Sequence, residues 1–261
     1  VELDMRDAVL TARLARPGQT VWVLRFVAAS RPGVLVTRIS GPADAVIVAP
    51  TMRPPAADGV DVDAHGDSIT VCDDGQAIVA VSHQHVEDTD DGQRTLTQNA
   101  AVGGGEAPER ERADVAARHE AAHGEGLEHQ DAEHRRRSSQ RWRSTRPDVE
   151  FDQQLEQGLR FAQFHLLSAS HGDGEVAIGA RGLSGSAYRG HVFWDTDVFV
   201  VPALCALDPD SARAALMYRW HRLPAARRRA AAEGRRGARF PWESARFGDE
   251  QTPTEATDLQ G

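Results

Sequence analysis

The residues best equipped for chemistry stand together between Gly182 and Asp197, in the run Gly182-Leu-Ser-Gly-Ser-Ala-Tyr-Arg-Gly-His-Val-Phe-Trp-Asp-Thr-Asp197. A Gly-rich approach delivers Arg189, His191, the aromatic pair Phe193-Trp194 and the carboxylates Asp195 and Asp197. An apolar run from Val198 to Leu207 follows directly, the makeup of a binding loop leading into a helix. Trp194 offers a flat apolar face that stacks on a sugar ring, and Asp195 beside it accepts hydrogen bonds from neighbouring hydroxyls. That pairing suits a carbohydrate better than a phosphate. The same residue types also have structural uses: Phe193 and Trp194 as core aromatics, Asp195 as a helix cap, Asp197 as a first-turn charge complementing the helix dipole, and Arg189 and His191 as loop braces.

A second constellation is His119-Glu-Ala-Ala-His123-Gly-Glu-Gly126-Leu-Glu-His129, which fits the H-E-x-x-H-x-x-G-x-x-H pattern of metzincin zinc proteases. Two histidines four apart share a helix face, Gly126 would turn the chain, His129 would be the third ligand and Glu120 the general base. The flanks speak against it. Arg118 and the polar run Glu128-His-Gln-Asp131 supply almost no apolar face to bury a zinc site, Met217 sits inside a helical run rather than a Met-turn, and no zincin-like sheet precedes the motif. The segment is expected to be a polar linker holding no resident metal, with adventitious metal binding as a residual property of its histidines. The two Asp-Asp-Gly-Gln copies at 73–76 and 90–93 read as turns, since a calcium loop needs several more oxygen ligands at fixed spacing.

Three regions must position these residues. Residues 1–100 are expected to be β: Thr20–Val27, Val34–Ile39, Ala45–Val48, Ser68–Cys72 and Ala77–Val81 are rich in β-branched and aromatic residues, and Asp58-Gly59, Asp74-Gly75 and Asp91-Gly92 punctuate them as turns. A part of a β-sandwich is the expected product. Residues 101–147, opened by Gly103-Gly-Gly105 and closed by Pro147, form a partly helical linker rich in Ala, Glu, Arg and His. From Asp148 the pattern is helical. Phe151, Leu155, Leu159, Ala162 and Leu166 recur at helical spacing, as do Ala212, Leu216, Trp220 and Leu223 after the cap Asp208-Pro209, so both sets are expected to be buried.

Composition narrows the partners. The 261-residue chain carries a formal net charge of −9, and a chain with no basic surplus is a poor ligand for nucleic acid. All 30 basic residues are arginine. Cys72 and Cys205 are too few for a disulfide framework, and no apolar run reaches the roughly 18–20 residues that span a bilayer, so neither a membrane nor an oxidising compartment is expected. The location expected is cytoplasmic.

The run 182–197 resembles the Gly-Leu-x-Gly-x-x-Tyr-x-Gly-His-x-Phe-Trp-Asp-Thr-Glu segment of glycoside hydrolase family 65, which includes phosphorylases of maltose, trehalose and kojibiose and some trehalose hydrolases. Tyr218-Arg-Trp-His-Arg-Leu223, Ala225-Ala-Arg227, Gly237-Ala-Arg-Phe-Pro-Trp-Glu-Ser244 and Gly248-Asp-Glu-Gln-Thr-Pro253 resemble that family's next blocks in order. Leu3-Asp-Met-Arg6, Val9-Leu-Thr11 and Arg25-Phe-Val27 resemble the end of its N-terminal domain. In the linker, Gly126 to His134 falls where the family has Gly-Tyr-Asp-x-Leu-Leu-x-Glu-His, with His129, Gln130 and Asp131 departing from it.

The resemblance implies a multidomain α+β fold: the C-terminal part of an N-terminal β-sandwich over 1–100, the linker over 101–147, and the N-terminal part of an (α/α)6 catalytic barrel over 148–261. Twelve helices need about 200 residues or more, against the 114 from Asp148 to Gly261, so a chain cut at both ends is expected, consistent with its opening on Val1 rather than Met. The resemblance further implies inversion at an anomeric carbon by phosphate or water, with one Glu protonating the leaving oxygen. That general acid and the phosphate loop are expected beyond Gly261, so no catalytic residue is assigned within the chain. Trp194 and Asp195 would hold the first sugar, Trp242 and Glu243 would contact the second, and Arg189 and His191 are further candidate contacts. No cofactor is implied beyond inorganic phosphate as co-substrate; the partners are a disaccharide and, in the intact enzyme, a second subunit of a homodimer. Phosphorolysis, hydrolysis and a non-catalytic remnant with a sugar-binding loop stay open.

Overall fold

The computed structural model describes residues 1–46, 61–65, 68–73, 76–145, 152–185 and 187–253. It divides into two compact units, Val1–Trp142 and Arg143–Gly261. Together they make an α+β chain.

The first unit is built on one antiparallel sheet of eight strands: β1 (Glu2–Asp4), β2 (Val9–Arg16), β3 (Gln19–Val27), β4 (Val34–Pro42), β5 (Asp61–His65), β6 (Ser68–Asp73), β7 (Gln76–Asp88) and β8 (Gln93–Gly105). Their order across the sheet is β1-β2-β3-β4-β8-β7-β6-β5. Alternation along the strands brings Val34 and Val36 of β4, Val79 of β7 and Ala101 of β8 to one face, where they are buried with Val9 and Phe26. Asp91-Gly92 forms the β7–β8 turn, with Gly92 at φ 78° and its N–H donating to the Thr89 carbonyl at 3.0 Å. Four expected strands form and run longer than their apolar cores. Ala45 and Val46 lie in a turn after β4, and the rest of that expected strand, like Asp58-Gly59 and Asp74-Gly75, lies outside the described residues.

The glycines expected to open a linker are instead the end of β8. Their role is close approach: a Cβ on Gly103 would lie 2.7 Å from Val115 Cγ2 and would also meet the Arg118 guanidinium. That contact comes from α1 (Pro108–Glu125), which lies on the buried face through Val115, His119 and Ala122. Gly126, at φ 75°, ends α1 and releases the chain into α2 (Leu127–Ser144). Both helices are polar in sequence, yet they are packed onto the sheet, and the buried His119, Gln130 and His134 each find a backbone partner. Gln130 Nε2 donates to the Ala122 carbonyl at 2.7 Å, and His134 stacks on Phe26 with ring centroids 4.6 Å apart.

The second unit holds α3 (Gln153–Ala169), β9 (Val192–Phe193), α4 (Val201–Leu207), α5 (Pro209–His221), α6 (Leu223–Ala232) and β10 (Glu243–Ser244). Asp152 caps α3 by accepting from the N–H groups of Gln154 and Leu155, and Asp208 caps α5 through the N–H of Ser211. Ala169, Ile178, Val201, Leu204, Ala212 and Ala215 form its core. The expected buried faces are only partly the observed ones: Ala212 is buried and Leu166 and Leu223 are half-buried. Leu155 and Leu159 of α3 and Leu216 and Trp220 of α5 are exposed, while α5 buries Ala214, Ala215, Tyr218 and Arg219. Periodicity identifies side chains that share a face; small residues let the opposite face of α5 pack closer, and the hydrogen bonds of Arg219 make its burial tolerable. Phe151 lies outside the described residues.

Candidate functional site

The Gly-rich loop reaches its site through two non-glycine residues in left-handed conformation, Tyr188 at φ 60° and Arg189 at φ 52°, followed by Gly190 at φ 76°. That region is unfavourable for residues with a Cβ, and such backbone collects at functional sites. The chain then enters β9, which pairs antiparallel with β10 in the register Phe193↔Glu243 and Val192↔Ser244. This short ladder carries the site: it brings the loop's aromatic pair beside Trp242-Glu243, some 50 positions away in sequence, and Trp194 N–H donates to the Trp242 carbonyl at 3.2 Å. Phe193, buried, makes edge contacts with Tyr188 and Trp242, centroids 5.3 and 5.4 Å away. Trp194 faces outward, 44% exposed.

Immediately after Trp194 the chain turns helical, and Thr196–Val200 adopts a π-helical turn before α4, a widening that recurs at functional sites. Thr196 is buried and anchors the turn by donating to the Ile178 carbonyl at 2.7 Å. Asp195 opens this turn with its side chain exposed and making no capping bond, so the cap expected of it does not form.

The organiser of the site is Arg219 of α5, a residue whose importance sequence reasoning missed. Its guanidinium donates to both carboxylate oxygens of Asp197, at 2.7 Å from Nη2 and 3.3 Å from Nε for the closest contact to each, to Ser244 Oγ at 2.9 Å and to the Phe193 carbonyl at 3.2 Å. One buried cation therefore ties the loop, α5 and β10 together. Tyr218 completes the bracing by donating to the Ala245 carbonyl at 2.6 Å. Asp197, expected as a charge at the start of a helix, is thus the counter-ion of Arg219. The signal available in sequence was an arginine on an apolar helix three positions after Leu216, which periodicity alone assigns to solvent.

Of the remaining candidates, His191 and Glu243 are brought together, His191 Nδ1–H donating to Glu243 Oε1 at 2.7 Å, with Glu243 buried. Trp242 is half-buried beside them and Arg189 is exposed on the loop. Trp194, Asp197, Leu216, Arg219, Ala238, Arg239 and Phe240 line an open cleft of about 500 Å³. Its walls are an indole, apolar surface and two arginines. Arg239 is held by Glu233 at 2.6 Å, and its guanidinium in turn keeps the Glu233 carboxyl below the ordinary carboxylate range.

The metzincin-like motif does not assemble as its pattern requires. His119 is buried in α1 with Nε2 on the Asn99 carbonyl at 3.2 Å, whereas His129 is exposed on α2 beyond the break at Gly126. Among the described residues no group of three His, Cys, Asp or Glu side chains could hold a metal ion, and no helix is long and apolar enough to cross a membrane.

Comparison with known proteins agrees with this architecture. Residues 160–260 match the glycosyl hydrolase family 65 central catalytic domain. A kojibiose phosphorylase of Caldanaerobacter subterraneus subsp. tengcongensis is 48% identical over 114 residues, covering 43% of this chain and 15% of that protein. A kojibiose hydrolase of Flavobacterium johnsoniae is 44% identical over 108 residues, covering 41% of this chain and 16% of that protein. The chain thus spans about a sixth of the length of these relatives. Among solved structures, a kojibiose phosphorylase candidate from the human microbiome superposes with a TM-score of 0.78 over 96% of this chain and 38% of its own, at 20% identity, a likeness of fold. The loop, the β9–β10 ladder and the following blocks all lie inside the segment, residues 160–260, that matches the glycosyl hydrolase family 65 central catalytic domain.

Proposed function

We propose that this chain carries the sugar-holding part of an enzyme that breaks α-linked glucose disaccharides by inverting phosphorolysis or hydrolysis, and that its second unit is the first part of an (α/α)6 barrel following part of a β-sandwich. The observation that carries the reading is the β9–β10 ladder, which presents an outward Trp194, the exposed carboxylate of Asp195 and the Trp242-Glu243 pair on one small scaffold. Trp194 stacks on the first sugar and Asp195 accepts from its hydroxyls. Trp242 and the Glu243 carboxylate oxygen that His191 does not hold contact the second sugar, while Arg189 and His191 border the opening. Glu243, held by His191, is not assigned the general acid. In the reaction proposed, an oxygen of phosphate or water bonds to the anomeric carbon as the glycosidic bond breaks, and a carboxylic acid delivers its proton to the leaving oxygen. Phosphate is the co-substrate of the first variant, and neither variant needs a metal.

The test is a tryptophan-fluorescence titration of the chain with kojibiose, trehalose and maltose, followed by assays for sugar release with and without phosphate. Saturable quenching by at least one disaccharide, lost in Trp194→Ala, is expected. Release that requires phosphate identifies a phosphorylase, and release without it a hydrolase. Because no general acid is assigned within this chain, binding without release is the outcome expected of it alone, and no binding to any of the three sugars sinks the proposal.

A further inference from the structure

The cleft beside Trp194 holds two arginines, and they differ in what they have left to give. Every guanidinium nitrogen of Arg219 already donates: Nε and Nη2 to Asp197, Nη1 to Ser244 Oγ, and Nη2 also to the Phe193 carbonyl. Arg239 is the opposite case. Glu233 takes its Nη1 at 2.6 Å, while Nε and Nη2 meet no acceptor among the described residues, and the side chain is 32% exposed.

The open part of that guanidinium is held in place from two sides. The Arg239 N–H donates to the Ala226 carbonyl at 2.9 Å, which ties the chain after α6 back onto the helix. Glu233, directly after α6, divides its carboxylate: Oε1 accepts from Arg229 Nε at 3.3 Å, and Oε2 pairs with Arg239. Three residues beyond Arg239, the Trp242 carbonyl accepts from the Trp194 N–H, so a short stretch of braced backbone joins the arginine to the indole. A guanidinium fixed at its backbone and at one nitrogen loses little freedom when its remaining N–H groups meet a ligand.

The chemistry available there is donation. A sugar hydroxyl carries one donor and two acceptor lone pairs, whereas Asp195 only accepts, so the sugar stacked on Trp194 needs a donor as well. The charges also favour a neutral ligand over an anion, because Arg219 is balanced by Asp197, Arg239 by Glu233 and Arg229 by Glu250. Trp194 lines this cleft and the Trp242-Glu243 pair does not, which makes the first sugar the one in reach.

We infer that Arg239, positioned by Glu233, is a further binding residue for the first sugar, donating from Nε and Nη2 to hydroxyl oxygens of the ring held on Trp194. The inference rests on the sugar-holding role proposed for Trp194 and supplies the donor which that role requires.

The experiment is fluorescence titration of the full chain with kojibiose, trehalose and maltose in phosphate-free buffer, so that a cation serving only an anion shows no effect. Arg239→Ala is expected to weaken binding at least about tenfold, and Arg239→Lys to restore little of it, since an ammonium lacks the planar fork. Arg235→Ala, which removes a neighbouring exposed charge, should bind like the wild type. Glu233→Ala should weaken binding in the wild type and change nothing in Arg239→Ala, which separates positioning of Arg239 from a general loosening of α6. Wild-type affinity in Arg239→Ala overturns the inference and leaves the sugar-holding reading standing; a chain that binds none of the three sugars fails both. A loss in Glu233→Ala that persists beside Arg239→Ala refutes the positioning role. Wild-type protein gives an independent reading should a variant not fold: saturating disaccharide must protect Arg239, but not Arg235, from phenylglyoxal mapped by mass spectrometry. Modification of Arg239 at full rate under those conditions counts against it as strongly.

Discussion

Asp195 and Asp197 lie two positions apart and do different work. Asp197 is locked to Arg219, and Asp195 reaches outward from the first helical turn. If Asp195 accepts from sugar hydroxyls, Asp195→Ala removes charge-assisted hydrogen bonds worth about 1.5–3 kcal/mol, and disaccharide affinity should fall roughly 10–150-fold with little change in stability. Asp197→Ala has a different signature. It strands the Arg219 guanidinium, whose side chain is 10% exposed, without its counter-ion. The expected loss is on the order of 2–3 kcal/mol in urea unfolding, below the range for a wholly buried pair because Asp197 itself is 30% exposed. Unchanged stability in Asp197→Ala would mean that Arg219 finds other acceptors, and the organising role given to it would fail. A change at the loop's other acid, Asp195, that unfolded the chain would likewise refute its assignment as a solvent-facing sugar ligand.

Among the elements, α1 and α2 show how a polar segment is held on a sheet. Gly103 gives α1 its close approach, so Gly103→Ala should cost about 1–3 kcal/mol through overpacking against Val115. Gly124, inside the same helix, has open space within 4 Å of the point where an alanine methyl would stand, so Gly124→Ala should stabilise by about 0.5–1 kcal/mol. The opposite signs of two identical substitutions 21 positions apart, read by chemical unfolding, test whether helix approach rather than glycine content is what matters. His134 of α2 adds a pH dependence. Burial pushes its pKa below the ordinary histidine value, and its geometry explains why the neutral form is needed: Nδ1 accepts from the Ala29 N–H at 3.3 Å while Nε2–H donates to the Ala8 carbonyl at 3.2 Å. A proton on Nδ1 would oppose that N–H. Because the unfolded chain then binds the proton more readily, His134 contributes stability that is present at neutral pH and is lost as pH falls below about 6.5 towards the lowered folded value. Unfolding free energies between about pH 7.5 and 5.5 should decline in the wild type and decline less in His134→Gln; an equal slope in both would remove His134 as the cause.

For the whole molecule, two compact units predict two calorimetric transitions, with Gly103→Ala lowering one and Asp197→Ala the other. A single transition shifted by both substitutions would show that the units unfold as one. How much of this was legible beforehand follows from the range of the interactions concerned. The strands over 19–27, 34–42, 68–73 and 76–88, in their apolar cores, and the helix start at Asp208 depend on alternation and capping within a few residues, and the sequence alone determined them, whereas the helix expected from Asp148 begins at Gln153 behind the cap Asp152. The ordered blocks from Gly182 to Pro253 likewise carried the resemblance that the family match over residues 160–260 repeats. Other features were decided only by tertiary structure, because each depends on a partner distant in the chain. Gly103-Gly-Gly105 carries the composition of a linker, and only the approach of α1 shows it to be strand. Leu155, Leu216 and Trp220 share apolar spacing, but a face is buried only where a neighbour covers it. Arg219 looks like a solvated charge until Asp197, Ser244 and the Phe193 carbonyl converge on it. The histidines of α1 are drawn towards His129 by a pattern in sequence and towards His83 by the packing of helix on sheet, and that choice belongs to the fold because strand register sets which side chains a helix meets.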